Sequence, residues 1–269
     1  MNKLSDSTSG HIAVPPYYIG IWRRDLLSSA AGEDTSTRVL WMQADRLFVD
    51  LRIPANRPDF SSVASLDECS DEQLDWLAGQ QGFAGWLQVS GDRFEWHRVL
   101  DFQPDRTVQD IGRMSLQEDY VLEEGVLADY YEHWRKMTHD NPFRRAYSLG
   151  QVTAADGQIL PWKGYLLIVG CFFMLAIDRR EDLGQATSLR ALAQGDRQQL
   201  LKALDMEISY GLLYAANGSC EIQSSTHPFR EGVTLFPGVA ELSTQRQLVH
   251  VLGDNTLHWN AEQNYGSSA

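Results

Sequence analysis

The segment GFAGWLQVSGDRFEWHRVLDFQP, residues 82–104, constrains the fold more than any other stretch. Two runs of aromatic and β-branched residues flank Ser90-Gly91-Asp92, a turn too short to join anything but antiparallel neighbours. The same form recurs. RVLWMQADRLFVDLRIP (38–54) turns at Ala44-Asp45-Arg46, and DIGRMSLQEDYVLEEG (110–125) turns at Gln117-Glu118-Asp119. MEISYGLLYAANGSCEIQSS (206–225) turns at Ala216-Asn217-Gly218. YYIGIWRRDLL, ADYYEHWRKM, RRAYSLGQVT and a late segment from Thr256 to Asn260 add further strands. GYLLIVGCFFMLAIDRR is read as one long strand region bent at Gly170. Only two regions carry helical signals. SDEQLDWLAG has Ser70 and Gln73 in capping-box spacing, and TSLRALAQGDRQQLLKAL is cut at Gly195 with Asp196 able to cap the second piece. About a dozen short strands with few helices predict an all-β, mainly antiparallel protein built as barrels or a sandwich. Gln103-Pro104-Asp105 is the best internal joint, which predicts domains at 1–104 and 105–269.

The most apolar run, Tyr165–Ile177, is too short to span a bilayer and reads as buried strand. The N-terminal MNKLSDSTSG has no apolar h-region, so a cytoplasmic location is expected. A net charge of −13 disfavours nucleic acid and anionic membrane surfaces as partners. Self-association into a homodimer is compatible with the sequence. Cys69, Cys171 and Cys220 are odd in number and lack CxxC spacing, which argues against a disulfide framework or zinc site; Cys171 is expected to be buried. There is no HExxH, no GxSxG, no phosphate loop and no calcium-loop ligand count. No metal and no cofactor is therefore expected.

Period-two alternation sorts the strand residues into faces. Trp22 goes with Arg24, and Trp41 with Gln43. Phe48, Asp50 and Arg52 lie opposite Leu47, Val49, Leu51 and Ile53. Phe94, Trp96, Arg98 and Leu100 form another face, and Tyr130, Glu132 and Trp134 another. Such aromatic-plus-charge rows are either an exterior sheet face or a lumen that stacks a flat ligand between fixed polar groups. The count of eight tryptophans favours the lumen, because exposing so many would promote association. His97 and His133 lie in strands beside a tryptophan, where a structural role is commonest; the sharper alternative pairs His133 with Glu124 as acid and base. LEEG, ending at Gly125, reads as a solvated acidic turn.

Gly20-x-Trp22 at the start of the first strand resembles the opening of calycin barrels, the lipocalins and fatty-acid-binding proteins. The series Trp41-x-Gln43, Phe48-x-Asp50-x-Arg52-x-Pro54, Trp96-x-Arg98 with Asp101 to Pro104, Asp110-x-Gly112, Glu123 to Gly125 and Tyr130-x-Glu132-x-Trp134 is similar to the lipocalin-like Hri-type family of fungi and bacteria. The likeness covers most of residues 17–180. It implies two packed lipocalin-like barrels, with Trp22 plugging the base of the first and an arginine over it; Arg98, Arg135 and Arg179 are the alternatives. It implies no agreed activity.

The expectation drawn from this is a barrel protein that binds a small, partly aromatic or apolar molecule. Trp22, Trp41, Trp96, Tyr130 and Trp134 would supply walls, with Gln43 as a polar group, and Arg52 and Arg98 would meet an acidic or carbonyl group. The alternatives are a cofactor-free isomerase, cyclase or dehydratase using Asp50, Glu124, Glu132 or His133, and a scaffold with solid barrels.

Overall fold

The structure is a computed structural model that describes residues 13–262, apart from 105–108, 139–142, 182, 185, 187, 194, 215–218 and 237–244. It is made of antiparallel strands in two barrel-shaped sheets, with three short α-helices among the described residues. The first sheet comprises β1 (Gly20–Ser29), β2 (Gly32–Asp34), β3 (Arg38–Gln43), β4 (Leu47–Ile53), β5 (Gln81–Ser90), β6 (Arg93–Asp101), β7 (Asp110–Leu116), β8 (Val121–Gly125) and β9 (Tyr130–Lys136). The second comprises β10 (Arg144–Thr153), β11 (Ile159–Leu160), β12 (Gly164–Val169), β13 (Phe172–Ile177), β14 (Glu207–Tyr214), β15 (Ser219–Ser225), β16 (Thr234–Leu235), β17 (Gln247–Leu252) and β18 (Asn255–Ala261). Helix α1 (Asp71–Ala78) lies between β4 and β5; α2 (Leu189–Ala193) and α3 (Arg197–Leu204) lie between β13 and β14.

The first sheet closes because β1 pairs with both β3 and β9. Closure removes the unpaired edges that an open sheet would leave. The joint expected at Gln103-Pro104-Asp105 therefore falls inside this barrel, between β6 and β7, and the change of sheet comes between Lys136 and Arg144. Composition marked the wrong loop, because β7 to β9 are needed to bring a partner to β1. In the second sheet the end strands β16 and β17 approach each other: Leu235 and Leu248 share one core, and the rings of Phe236 and His250 lie 5.3 Å apart.

The capping box at Ser70 and Gln73 and the Asp196 cap both form. The expected bend at Gly170 is instead a two-residue hairpin, with Val169 opposite Phe172. Gly170 has φ +62° at the first loop position, the conformation a type II′ turn requires of a glycine. That loop exposes Cys171, against the expected burial, while Cys69 and Cys220 are buried. The turn expected at Ala216-Asn217-Gly218 lies outside the described residues.

A shared core joins the barrels. Leu40, Met42, Val49 and Leu51 from β3 and β4 meet Leu167, Val169, Met174 and Ala176 from β12 and β13, with leucines of all three helices completing the layer. Leu166, Ile168, Phe173 and Leu175 alternate with those residues and fill the second barrel. Strands β12 and β13 are thus buried on both faces, which explains their unbroken apolar sequence. Buried Arg179 ties the halves together, donating to the carbonyls of Asp101, Phe102 and Ala203 at 3.2, 2.6 and 3.1 Å.

Candidate functional site in the first barrel

The lumen of the first barrel is built in layers that follow from register. Its floor lies where β1 starts. Trp22 is fully buried there, its Nε1 donating to the Tyr18 carbonyl at 2.9 Å. Phe48, Leu87, Val89, Phe94, Met114 and Val121 fill the same core. The cation over the Trp22 ring is Lys136, with Nζ 5.4 Å from the ring centroid. None of the three candidate arginines takes that place: Arg98 lies over Phe83, Arg135 pairs with Asp25 at the surface, and Arg179 spans the two barrels. Above the floor, Trp41 packs on Trp22, Trp96 and Trp134 with centroids 5.7–5.9 Å apart. The four tryptophans therefore fill the barrel rather than line an open space. Gln43 is also at the floor end, where its Nε2 donates to the carbonyls of Ala44 and Leu47 and holds the β3–β4 turn.

Over the indoles lies a layer of charge. Arg24 Nη1 donates to Glu132 Oε1 at 2.7 Å and Nη2 to Asp34 Oδ2 at 2.8 Å. Arg52 Nε donates to Asp50 Oδ1 at 2.8 Å. Arg98 lies 3.6 Å from the Phe83 ring centroid and donates to Asp110 at 2.6 Å and to Asp101 at 3.2 Å. Among the described residues, Glu123 has no arginine within ion-pair distance; its oxygens accept from Tyr130 Oη at 2.9 Å and Trp134 Nε1 at 3.0 Å. Burial, with Glu132 and Asp110 adding repulsion, holds the Glu123 carboxyl well above the usual range. Burial also raises Glu132 and Asp50, against the pull of Arg52 in both cases. The Tyr130 hydroxyl is raised by burial and by Glu123.

Two spaces open in this layer. A void of about 10 Å³, the size of one water, lies among Trp41, Asp50, Arg52, Phe83, Trp96, Asp110, Glu123 and Trp134. Trp41 lines this void, and its buried Nε1 has no hydrogen-bond partner among the described residues. Above it, a cup of about 390 Å³ opens at the barrel mouth. Arg52, Asp110 and Glu123 border both spaces, while Arg98, Tyr130 and Glu132 line the cup beneath a rim that includes Leu27, Ile111 and Leu127.

The structure thus gathers Asp50, Arg52, Trp96, Arg98, Tyr130, Glu132 and Trp134 around one lumen. It places Glu124 on the outside, exposed, and His133 on the outer face, stacked on Tyr120 with centroids 4.3 Å apart. His97 is likewise outside, stacked on Trp86 at 3.7 Å. Leu100 does not share the face of Arg98: a bulge at Val99 shifts the β5–β6 register between Gly85↔Arg98 and Ala84↔Leu100, sending Leu100 to the core between the barrels and Asp101 toward Arg98. Gly85 permits that approach, since a Cβ there would lie 1.9 Å from the His97 carbonyl oxygen. Sequence reading missed Glu123, Asp110 and the buried pairing of Arg24. Strand alternation alone would have put one glutamate of Glu123-Glu124 inside, and the pairing Glu123↔Glu132 decides which.

The family model described as Protein HRI1 matches residues 23–211, well over half of the chain. The chain belongs to that family. Its matched span runs from the first barrel into β14 of the second, so it contains the whole charged layer, while Trp22 on the floor lies one residue outside it. No curated protein and no solved structure matches the chain. Among the described residues, no helix is long and apolar enough to cross a membrane.

Proposed function

We propose that this HRI1-family protein is a cytoplasmic binder of a small, partly apolar molecule, held at the mouth of the first barrel. The observation that carries the reading is the cup of about 390 Å³ in which Leu27, Ile111, Leu127 and Ala128 meet a set of fixed polar groups. A concavity in which apolar side chains meet oriented polar groups is the usual make-up of a small-molecule site, and this one is unusually rich in charge. The aromatic floor supports a lipocalin-like reading, with Gly20-x-Trp22 opening the barrel and a cation over the indole. Binding takes place above the tryptophans, so they report occupancy without enclosing the ligand.

A second reading has its own observation. Glu123 is a buried carboxyl with raised proton affinity beside the Tyr130 hydroxyl, and Glu132 lies across the strand pair from it. Two carboxyls so close, with their affinities for protons raised, suit general acid–base catalysis in the cup. The test for both readings is a small-molecule screen by tryptophan fluorescence, run on the wild type and on Ala128→Trp, which places an indole on the lining of the cup. Saturable responses lost in Ala128→Trp are expected. Responses that persist in that variant, or none at all, refute a site at the mouth.

A further inference from the structure

Resting on the reading of the cup as a ligand site, we propose that its ligand is a small organic cation, an amine with a neighbouring hydroxyl, whose ammonium group sits against Glu123 and Asp110. Counting the arginines' partners and Glu123 among the described residues, three guanidinium groups face six carboxyls: Arg24, Arg52 and Arg98 against Asp34, Asp50, Asp101, Asp110, Glu123 and Glu132. Each arginine is already engaged by at least one aspartate, so an anionic ligand would have to displace a buried acid. The carboxyl of Glu123, by contrast, borders the cup with no ion-pair partner among the described residues.

A surplus of acid does not by itself make a site, and the indoles add an independent observation. Trp41 is 2% exposed, borders the small void together with Glu123, and its Nε1 has no acceptor among the described residues. A buried indole N–H lacking an acceptor costs free energy that a ligand oxygen recovers. A hydroxyl beside an amine provides that acceptor while the amine answers Glu123. Trp41, Trp96 and Trp134 surround the same void, and aromatic rings favour a cation over an anion. Leu27, Ile111 and Leu127 at the rim suit a short hydrocarbon or aryl tail. Burial and its acidic neighbours raise the proton affinity of Glu123 in the free protein, and a cation bound beside it lowers that affinity, so uptake of the cation is linked to proton release.

The experiment is calorimetric titration with a matched set: phenylethanolamine, the uncharged phenylethanediol, the anionic mandelate, and phenylethylamine, which lacks the hydroxyl. Phenylethanolamine is expected to bind at least about ten-fold more tightly than the diol and mandelate, a difference of about 1.4 kcal/mol. Its enthalpy should vary with the ionisation heat of the buffer, reporting proton release. Glu123→Gln keeps a neutral side chain that can still meet Tyr130 and Trp134, and a thermal melt confirms its fold. In that variant the amine's advantage and the proton release should both vanish, with diol binding unchanged. Phenylethylamine should bind more weakly than phenylethanolamine. If the diol or mandelate binds as well as the amine, the cation assignment is overturned while the cup remains a ligand site. If no member of the set binds the folded protein, the site itself is refuted. Amine binding undiminished in Glu123→Gln overturns the role given to that residue.

Discussion

Replacing Arg24 by Met isolates the electrostatics of the lumen. The Arg24 side chain is 3% exposed and that of Glu132 5%, and their contact is 2.7 Å. Methionine approximates the volume of the arginine stem, so the change removes charge and hydrogen bonds with little cavity formation. What remains is a buried Glu132 stripped of its hydrogen-bonded cation, and Asp34 without its arginine. Breaking a buried pair from one side costs about 3–5 kcal/mol, because the stranded charge keeps its desolvation penalty. Arg52 contributes the largest remaining attraction on Glu132, which places the expected loss near the lower end, about 3 kcal/mol. Urea unfolding followed by tryptophan fluorescence measures it, from the midpoint shift at constant slope. The loss should shrink as pH falls. The Glu132 carboxyl is already raised by burial, and removing Arg24 raises it further, so protonation below neutral pH relieves the stranded charge. The double variant Arg24→Met/Glu132→Gln should recover at least about 1 kcal/mol relative to the sum of the single changes. A loss under about 1 kcal/mol that does not vary with pH, or strict additivity in the double variant, would show that this pair is not a buried, coupled element and that the account of the lumen is wrong.

Three further outcomes are expected. Trp22→Ala should cost about 3–5 kcal/mol in urea unfolding, since it removes a fully buried indole together with its stacking on Trp41; a loss below about 1 kcal/mol would make the floor peripheral. Wild-type stability should decline as pH rises above the ordinary glutamate range of about 4.3, because the raised Glu123 carboxyl binds its proton more tightly folded than unfolded, with a slope of at most about 1.4 kcal/mol per pH unit for one proton. Glu123→Gln should flatten that decline without abolishing it, since Glu132 is raised as well, and equal slopes in the two proteins would contradict the assignment. Arg98→Met should lower stability by about 1–3 kcal/mol by leaving Asp101 and Asp110 without their cation, and, by freeing Asp110, should tighten the binding of a cationic ligand in the cup; a thermal melt and a titration on the same variant separate the two effects, and an unchanged melt would mean that Arg98 is not structural.

The barrel class was legible because tight turns force antiparallel neighbours, and three of the four hairpins read from the sequence form where the turn residues stand, the fourth turn lying outside the described residues. Face assignment was legible wherever a strand kept its period. Phe48, Asp50 and Arg52 share the lumen face as alternation predicts, and so do Tyr130, Glu132 and Trp134. It failed where a bulge broke the period. The shift at Val99 moved Leu100 outward, and one between Arg24 and Leu26 turned Leu27 and Ser29 toward the cup. A bulge depends on the partner strand, so a local pattern carries no sign of it. The same holds for Glu123 and Glu124, identical neighbours that only cross-strand register separates.

Which face of each strand points inward was the question the sequence left open, and the packing of the two barrels supplies the reason. In β4 the aliphatic row Leu47, Val49, Leu51 and Ile53 would be assigned to the lumen by the ordinary rule that apolar faces turn inward. It turns outward because the outside of β3, β4 and β5 is itself interior, pressed against β12, β13 and the helices. With the aliphatic residues committed to that shared layer, the opposite face carries aromatics and charge, and closure of the sheet wraps it into a lumen. The second barrel divides its residues differently. Strands β12 and β13 are apolar on both faces, so its interior holds residues such as Leu166, Ile168, Phe173 and Trp259. The second barrel is filled mainly by hydrocarbon, with a buried cluster in which Glu207 meets Arg230 and Ser209, and the first keeps a whole layer of buried ion pairs that hydrophobic residues of similar volume would replace at little or no loss of stability. Stability therefore gives no reason for the charged layer of the first barrel, and its position beneath an open cup gives a functional one.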